Sequence, residues 1–261
     1  MGRFSLAELP PVLAAHVGVN AHLEFPRQGA TSDVAFAWAA DRVVVVKRCA
    51  HAIYLDWLRR EHVVLRALAG SGLPVPTCIG YAENEADGLA VGWLVETRLP
   101  GRPLLGALID AAEPQRVSLC RSLGVLVRQL HAAPVPTALL SATDWTSQQL
   151  LQARANLSWC DGTAAGLAEL ERSRPSPVPE RLIHGDLALD NVLVDARGAL
   201  SLIDWAGGGS GDPRHDVALV LENEPEVKLT AAALDAFFTS YGSASLDKGT
   251  RDWFVRLYDY F

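Results

Sequence analysis

Two apolar periods alternate along this chain, and the two-residue period belongs mainly to its first third. Val34-Ala35-Phe36-Ala37-Trp38 alternates weakly and Val43 to Val46 is β-branched throughout, so residues 34–47 predict a hairpin turning at Ala40-Asp41. Leu55, Leu58, Val63, Leu65 and Leu68 recur at helical spacing and predict an amphipathic helix over 54–69, stopped by Gly70-Ser71-Gly72. Glu61, with Arg59 and Arg60, reads as opposite part of that stripe. Strands are expected near 78–83 and 89–96, with Asp87-Gly88 as the turn between them. A short helix is expected over 5–17.

Leu99-Pro100-Gly101-Arg102-Pro103 marks a boundary, beyond which the helical period dominates. Leu119, Leu123, Leu126, Val127 and Leu130 form the core stripe of a helix over 114–133. Further helices are expected at 146–158, 164–172, 215–222, 229–241 and 247–260. A β-rich start joined by a short hinge to a helical remainder points to an α+β protein with two lobes, residues 1–96 and 97–261.

Composition narrows the classes. At 261 residues, 49% hydrophobic and 20% charged, the chain is long and apolar enough for a sizeable core. The formal net charge of -7 argues against non-specific nucleic-acid binding and suits a cationic small molecule. Cys49, Cys78, Cys120 and Cys160 are scattered without metal-ligand spacing and read as reduced thiols. Neither a signal-peptide core nor the ~20 apolar residues of a membrane helix stands out, so a cytoplasmic protein without a membrane partner is expected. Nothing in the pattern indicates an oligomeric state.

Candidate chemistry concentrates in residues 183–204, IHGDLALDNVLVDARGALSLID. Asp186 and Asn191 are followed by a predicted hairpin, Val192–Val194 and Leu200–Ile203, that delivers Asp204 at its end. Asp and Asn beside Gly are often plain turn residues. Three oxygen-bearing side chains gathered by one hairpin suit phosphoryl transfer instead. Asn191 and Asp204 could hold Mg²⁺, a hard cation that prefers oxygen ligands. Asp186 would stay free of the metal and accept the proton of a substrate hydroxyl. Kinase-like phosphoryl transfer also needs a Lys on a strand and a Glu on the next helix to orient it; Lys47 and Glu61, each alone a plain solvated residue, become candidates as a pair in that order. No Walker A sequence occurs, which argues against a P-loop kinase. Gly208-Gly209-Ser210-Gly211-Asp212 falls short of a hydrolase nucleophile elbow.

This segment resembles the signature of aminoglycoside phosphotransferases, a branch of the protein-kinase-like superfamily. His184-Gly185-Asp186-Leu187 with Asn191 is similar to the family's "HGDL…N" loop, and Ile203-Asp204 to its metal-binding "ID". Gly211 to Leu219 resembles the stretch that follows. Tyr241-Gly242, Asp247-Lys248 and Leu257 to Phe261 look like the ending of the 3′-phosphotransferase subgroup. The resemblance implies a kinase-like two-lobed fold and transfer from ATP, with GTP as the alternative, to an aminoglycoside hydroxyl, foremost the 3′-hydroxyl, giving antibiotic resistance. Another small alcohol, such as homoserine, choline, a sugar amine, or a peptide or macrolide antibiotic, is the rival substrate.

By the same resemblance, Gln28 to Asp33 would cover the phosphates, with Ser32 touching them. Thr97 C=O and Leu99 N–H would meet the base, and Ile203 would line the nucleotide site. Asp161, Glu222, Glu224, Glu226, Asp259 and the carboxylate of Phe261 would bind the polycation. His184 reads as a brace for the loop. His131 reads as a helix-terminal residue near the negative end of the dipole. Trp205 to Gly209, the short insert around Asp161 and the ending Asp259-Tyr260-Phe261 depart from the subgroup's pattern.

Overall fold

The computed structural model describes residues 3–18, 20–26, 31–86, 88–221, 227–243 and 245–261. The chain divides into two compact units: residues 1–100 with 202–207, and 101–201 with 208–261.

The first unit is built on β1 (His22–Glu24), β2 (Asp33–Trp38), β3 (Val43–Cys49), β4 (Cys78–Ala86) and β5 (Leu89–Thr97), in the order β1-β2-β3-β5-β4. Every neighbouring pair is antiparallel. The predicted hairpin is β2–β3, closed by Ala39 N–H donating to Arg42 O at 2.9 Å. Residues 5–17 resolve into a 3-10 turn at Leu6–Glu8 and helix α1 (Pro11–Val17). One face of the sheet packs with α1 around Leu13, Val46, Trp93 and Val95. The long helix α2 (Ala52–Ala67) buries Leu55, Leu58, Val64 and Leu65. Two assignments on this helix are corrected. Val63 is 44% exposed, and Val64 takes its place inside. Glu61 is buried on the apolar face, because position 61 lies three residues after Leu58 and four before Leu65.

The second unit is mainly helical: α3 (Leu104–Asp110), α4 (Glu113–Ala132), α5 (Trp145–Asn156), α6 (Ala164–Arg172), α7 (Pro213–Val220), α8 (Ala231–Tyr241) and α9 (Lys248–Tyr258). Asp144, Thr163, Asp212, Thr230 and Asp247 each accept a first-turn backbone N–H with the side chain, which fixes five helix starts. Short strands frame the predicted catalytic segment. β7 (Arg181–Ile183) pairs antiparallel with β10 (Gly209–Gly211). β6 (Arg102–Pro103) pairs with β8 (Val192–Val194), which neighbours β9 (Leu200–Leu202). Trp145, Leu167, Leu170, Trp253, Phe254 and Leu257 form a core that joins α5, α6 and α9. The architecture is therefore mixed α+β. All four cysteines are free thiols. Among the described residues, no helix is long and apolar enough to cross a membrane.

Candidate active site

In the first unit, register places Lys47 of β3 opposite Leu94 of β5, so its side chain shares a face with Glu96. The Lys47 ammonium is buried and meets three carboxylates. Glu61 Oε1 lies at 2.6 Å, Glu96 Oε1 at 3.6 Å, and Asp204 is in direct contact. Burial by itself would push the ammonium down; the charges of Asp204, Glu61 and Glu96 outweigh it and hold Lys47 protonated, above its ordinary value. Glu61 Oε1 also accepts from Trp205 N–H at 3.1 Å, which ties α2 to the turn after Asp204. Burial pushes the Glu61 carboxyl up, and Lys47 pulls it back in part. Asp204 adopts φ 63°, the left-handed region that non-glycine residues rarely visit.

Glu96 is the residue of this cluster that the sequence did not single out. It is 2% exposed, and burial pushes its carboxyl up to about 8. Its Oε2 has no partner among the described residues. Pairing Val45 with Glu96 and Lys47 with Leu94 is the signal that would have found it, since β5 then aims Glu96 at the lysine's side. Thr97, Leu99 and Ile203 are half-buried in this unit. Ser32 is half-buried and its side chain meets the Cys49 thiol. Gln28, Gly29 and Ala30 of the expected phosphate loop lie outside the described residues.

In the second unit, the segment after β7 carries Asp186 in a loop whose Gly185 takes φ 77°, a conformation that favours glycine. Asn191 Nδ2 donates to Asp186 O at 2.8 Å and to Asp186 Oδ2 at 2.9 Å. The Tyr258 hydroxyl donates to Asp186 Oδ1 at 2.6 Å. Asp186 thus has both oxygens engaged.

Beneath the loop lies a buried carboxylate, Asp216 on α7. It accepts from His184 N–H at 2.7 Å, Gly185 N–H at 2.9 Å and His131 Nε2 at 3.1 Å. Burial opposes its charge, but the His131 hydrogen bond and the neighbouring histidines keep its carboxyl below the ordinary value. His131 Nδ1 lies 2.9 Å from the Tyr241 hydroxyl, which burial and the Asp216 charge push up to about 12. His131 is therefore corrected from a helix-end residue to a buried link between α4, α7 and α8. His215 Nε2 lies 3.1 Å from Gly185 O, and burial holds its imidazole down towards the neutral form. His184 is fully buried, with its backbone N–H on Asp216.

The expected cation-binding acids divide. Asp161 and Asp259 are exposed neighbours: Gly162 N–H donates to Asp259 O at 3.1 Å, and burial plus the Asp161 charge raise the Asp259 carboxyl. Phe261 follows on the same turn, its N–H on Tyr258 O at 3.1 Å. Glu222, Glu224 and Glu226 lie outside the described residues. Ser210 of the hydrolase-like sequence sits in β10 and donates to Glu180 at 2.7 Å.

Fold and site define a kinase-like phosphotransferase class, and the comparisons agree. Residues 22–254 match the Phosphotransferase enzyme family, and the chain belongs to that family. It is 29% identical over 223 residues to an aminoglycoside 3′-phosphotransferase of Streptomyces fradiae, covering 79% of this chain and 77% of that protein. It is 30% identical over 197 residues to a homoserine kinase of Methylobacterium nodulans, covering 69% of this chain and 58% of that protein. The structure of the GDP and kanamycin complex of APH(2")-IIia superposes with a TM-score of 0.66 at 19% identity, covering 93% of this chain and 84% of that one. The fold is the kinase-like α+β fold of the aminoglycoside phosphotransferases.

Proposed function

We propose that the protein transfers the γ-phosphoryl group of ATP to a hydroxyl of an aminoglycoside, foremost the 3′-hydroxyl. The observation that carries this reading is Asp186, a carboxylate whose oxygens are held by Asn191 and by Tyr258 of α9, the residue just before the exposed Asp259. Asp161 and Asp259 form an exposed acid pair of the kind that suits a polycationic acceptor. The relative from Streptomyces fradiae bears that activity in its name, and kanamycin and GDP are the ligands of APH(2")-IIia.

In this reading Lys47, fixed by Glu61, binds the nucleotide phosphates. Thr97, Leu99 and Ile203 would contact the base, and Ser32 the phosphates. The acceptor oxygen forms a bond to Pγ as the bond to the ADP oxygen breaks, and the hydroxyl proton passes to Asp186. Most of the acceleration comes from positioning and charge neutralisation. Asn191 and Asp204 are the oxygen donors that would hold Mg²⁺. Asn191 spends its amide N–H groups on Asp186, which leaves Oδ1, and Asp204 adds a carboxylate. Bound there, Mg²⁺ would neutralise charge on the phosphates.

A second reading, phosphorylation of a small amino alcohol such as homoserine, is favoured by the 30% identity to the homoserine kinase. A coupled ADP-release assay with kanamycin, neomycin, streptomycin, homoserine and choline separates the two. Turnover on aminoglycosides alone is expected, and dependence on the 3′-hydroxyl fixes the position. Turnover on homoserine alone overturns the aminoglycoside reading and keeps the chemistry. Asp186→Asn is expected to lower kcat by roughly 10²–10⁴. A variant with unchanged kcat removes Asp186 from the mechanism.

A further inference from the structure

Tyr258 stands where the acceptor should. Of the two Asp186 oxygens, Oδ2 is held by Asn191 at 2.9 Å and Oδ1 by the Tyr258 hydroxyl at 2.6 Å. The second distance is that of a charge-assisted O–H···O⁻ bond. A hydroxyl acceptor that gives its proton to Asp186 needs the same kind of contact, from the same direction as a donating O–H. Tyr258 is held at the end of α9 by a helix otherwise anchored through Trp253, Phe254 and Leu257, yet its own side chain is 38% exposed. Its ring also lies 6.5 Å from the His215 ring, centroid to centroid, so the phenol reaches Asp186 from the solvent-facing rim of that core.

We propose that Tyr258 is a specificity-determining residue that keeps water off Asp186 and yields its place to the true acceptor. The inference rests on Asp186 being the proton acceptor of the proposed reaction. Water is the competing hydroxyl at any kinase site. Its attack would form a bond from its oxygen to Pγ, break the bond to the ADP oxygen, and leave its proton on Asp186, giving ADP and inorganic phosphate. Displacing the phenol costs water a hydrogen bond that it replaces with one of the same kind, and water brings no other contact to compensate. A bound acceptor has remote groups whose contacts offset the displacement. The phenol thus discriminates by what else the acceptor binds.

The test is ADP formation from Mg-ATP with no acceptor added. Tyr258→Phe keeps the ring and removes the hydroxyl, and it is expected to raise acceptor-independent hydrolysis at least fivefold with KM for ATP unchanged. A merely structural role would lower activity and not create this gain. Adding Asp186→Asn to Tyr258→Phe is expected to bring hydrolysis back to the wild-type level or below. Hydrolysis by Tyr258→Phe at or below the wild-type rate overturns the proposal, as does a gain that persists in the double variant. The underlying reading fails separately, if Asp186→Asn alone retains phosphoryl transfer to an acceptor.

Discussion

Asp216→Asn isolates the support of the loop from its chemistry. The wild-type carboxylate is fully buried and accepts three hydrogen bonds, from His184 N–H and His131 Nε2 on Oδ2 and from Gly185 N–H on Oδ1. An amide can keep only one oxygen. The better rotamer leaves that oxygen at the Oδ2 position and sets its NH₂ against the Gly185 N–H. One buried donor is then orphaned, at a cost of about 1–3 kcal/mol, and two bonds lose charge assistance, at about 1 kcal/mol each. The sum is about 3–5 kcal/mol, the range for breaking a buried ion pair by removing one partner. Against a domain stability of ~5–15 kcal/mol, that loss leaves the variant folded but weakened except at the bottom of the range, where unfolded chain becomes populated. Urea titration at constant m-value reads the stability, and ADP release with acceptor reads kcat. Because Gly185 immediately precedes Asp186, kcat is expected to fall by roughly 10–10², the scale of an ångström's misplacement. The pH dependence follows in sign. Since the native carboxyl is held below its ordinary value, its contribution is present above the unfolded pKa of about 3.9 and is lost as pH falls through the native value. The stability gap between wild type and variant should therefore close in acid. A stability loss under ~1 kcal/mol with unchanged kcat would refute the account, since three buried hydrogen bonds would then carry no weight.

Glu96→Gln mimics the protonated carboxyl that burial favours, with the native value pushed up to about 8. The native state holds a proton that the unfolded state releases above about 4.3, so wild-type stability from this group falls as pH rises towards 8. Thermal melts from pH 6 to 9 should show the variant gaining on wild type with rising pH, at about 1.4 kcal/mol per pH unit at most; a constant difference rejects the assignment. Gly124→Ala tests a tight approach of α4 to α8, where an added Cβ would collide with Phe237 O and lie 3.1 Å from Phe237 C. Backbone cannot yield as a side-chain tip can, so a net loss of about 1–3 kcal/mol is expected in urea titration, and a stabilised variant contradicts the packing.

The residues gathered around Lys47 in the first unit, and those gathered around Asp186 in the second, differ in how far the sequence disclosed them. Asp186, Asn191 and Asp204 stood out because phosphoryl transfer asks for defined residue types and a short hairpin sets their spacing. Lys47 and Glu61 followed by order along the chain. The burial of Glu61 could also have been read from the sequence, since positions 58, 61, 65 and 68 share a helix face. A charged residue among apolar ones reads as solvent-exposed, but the counter-ion of Glu61 lies on the preceding strand, β3. The strands β6 and β10 and the helix α3 are too short to show a period.

His131, Asp216, Tyr241 and Tyr258 could not be read this way. His131 reaches Asp216 across 85 positions and Tyr241 across 110, while Tyr258 reaches Asp186 across 72. Each is ordinary in its local pattern: a histidine near a helix end, an acid in a first turn, two tyrosines in last turns. Their roles arise from helix packing in the second unit. There a buried carboxylate must find donors, and the loop's backbone N–H groups must find an acceptor. One requirement meets the other at Asp216, so the loop that carries Asp186 takes its shape from a residue chemically idle in the reaction. Tyr258 applies the same logic in reverse, because an exposed carboxylate oxygen on Asp186 accepts the hydroxyl that the fold brings to it.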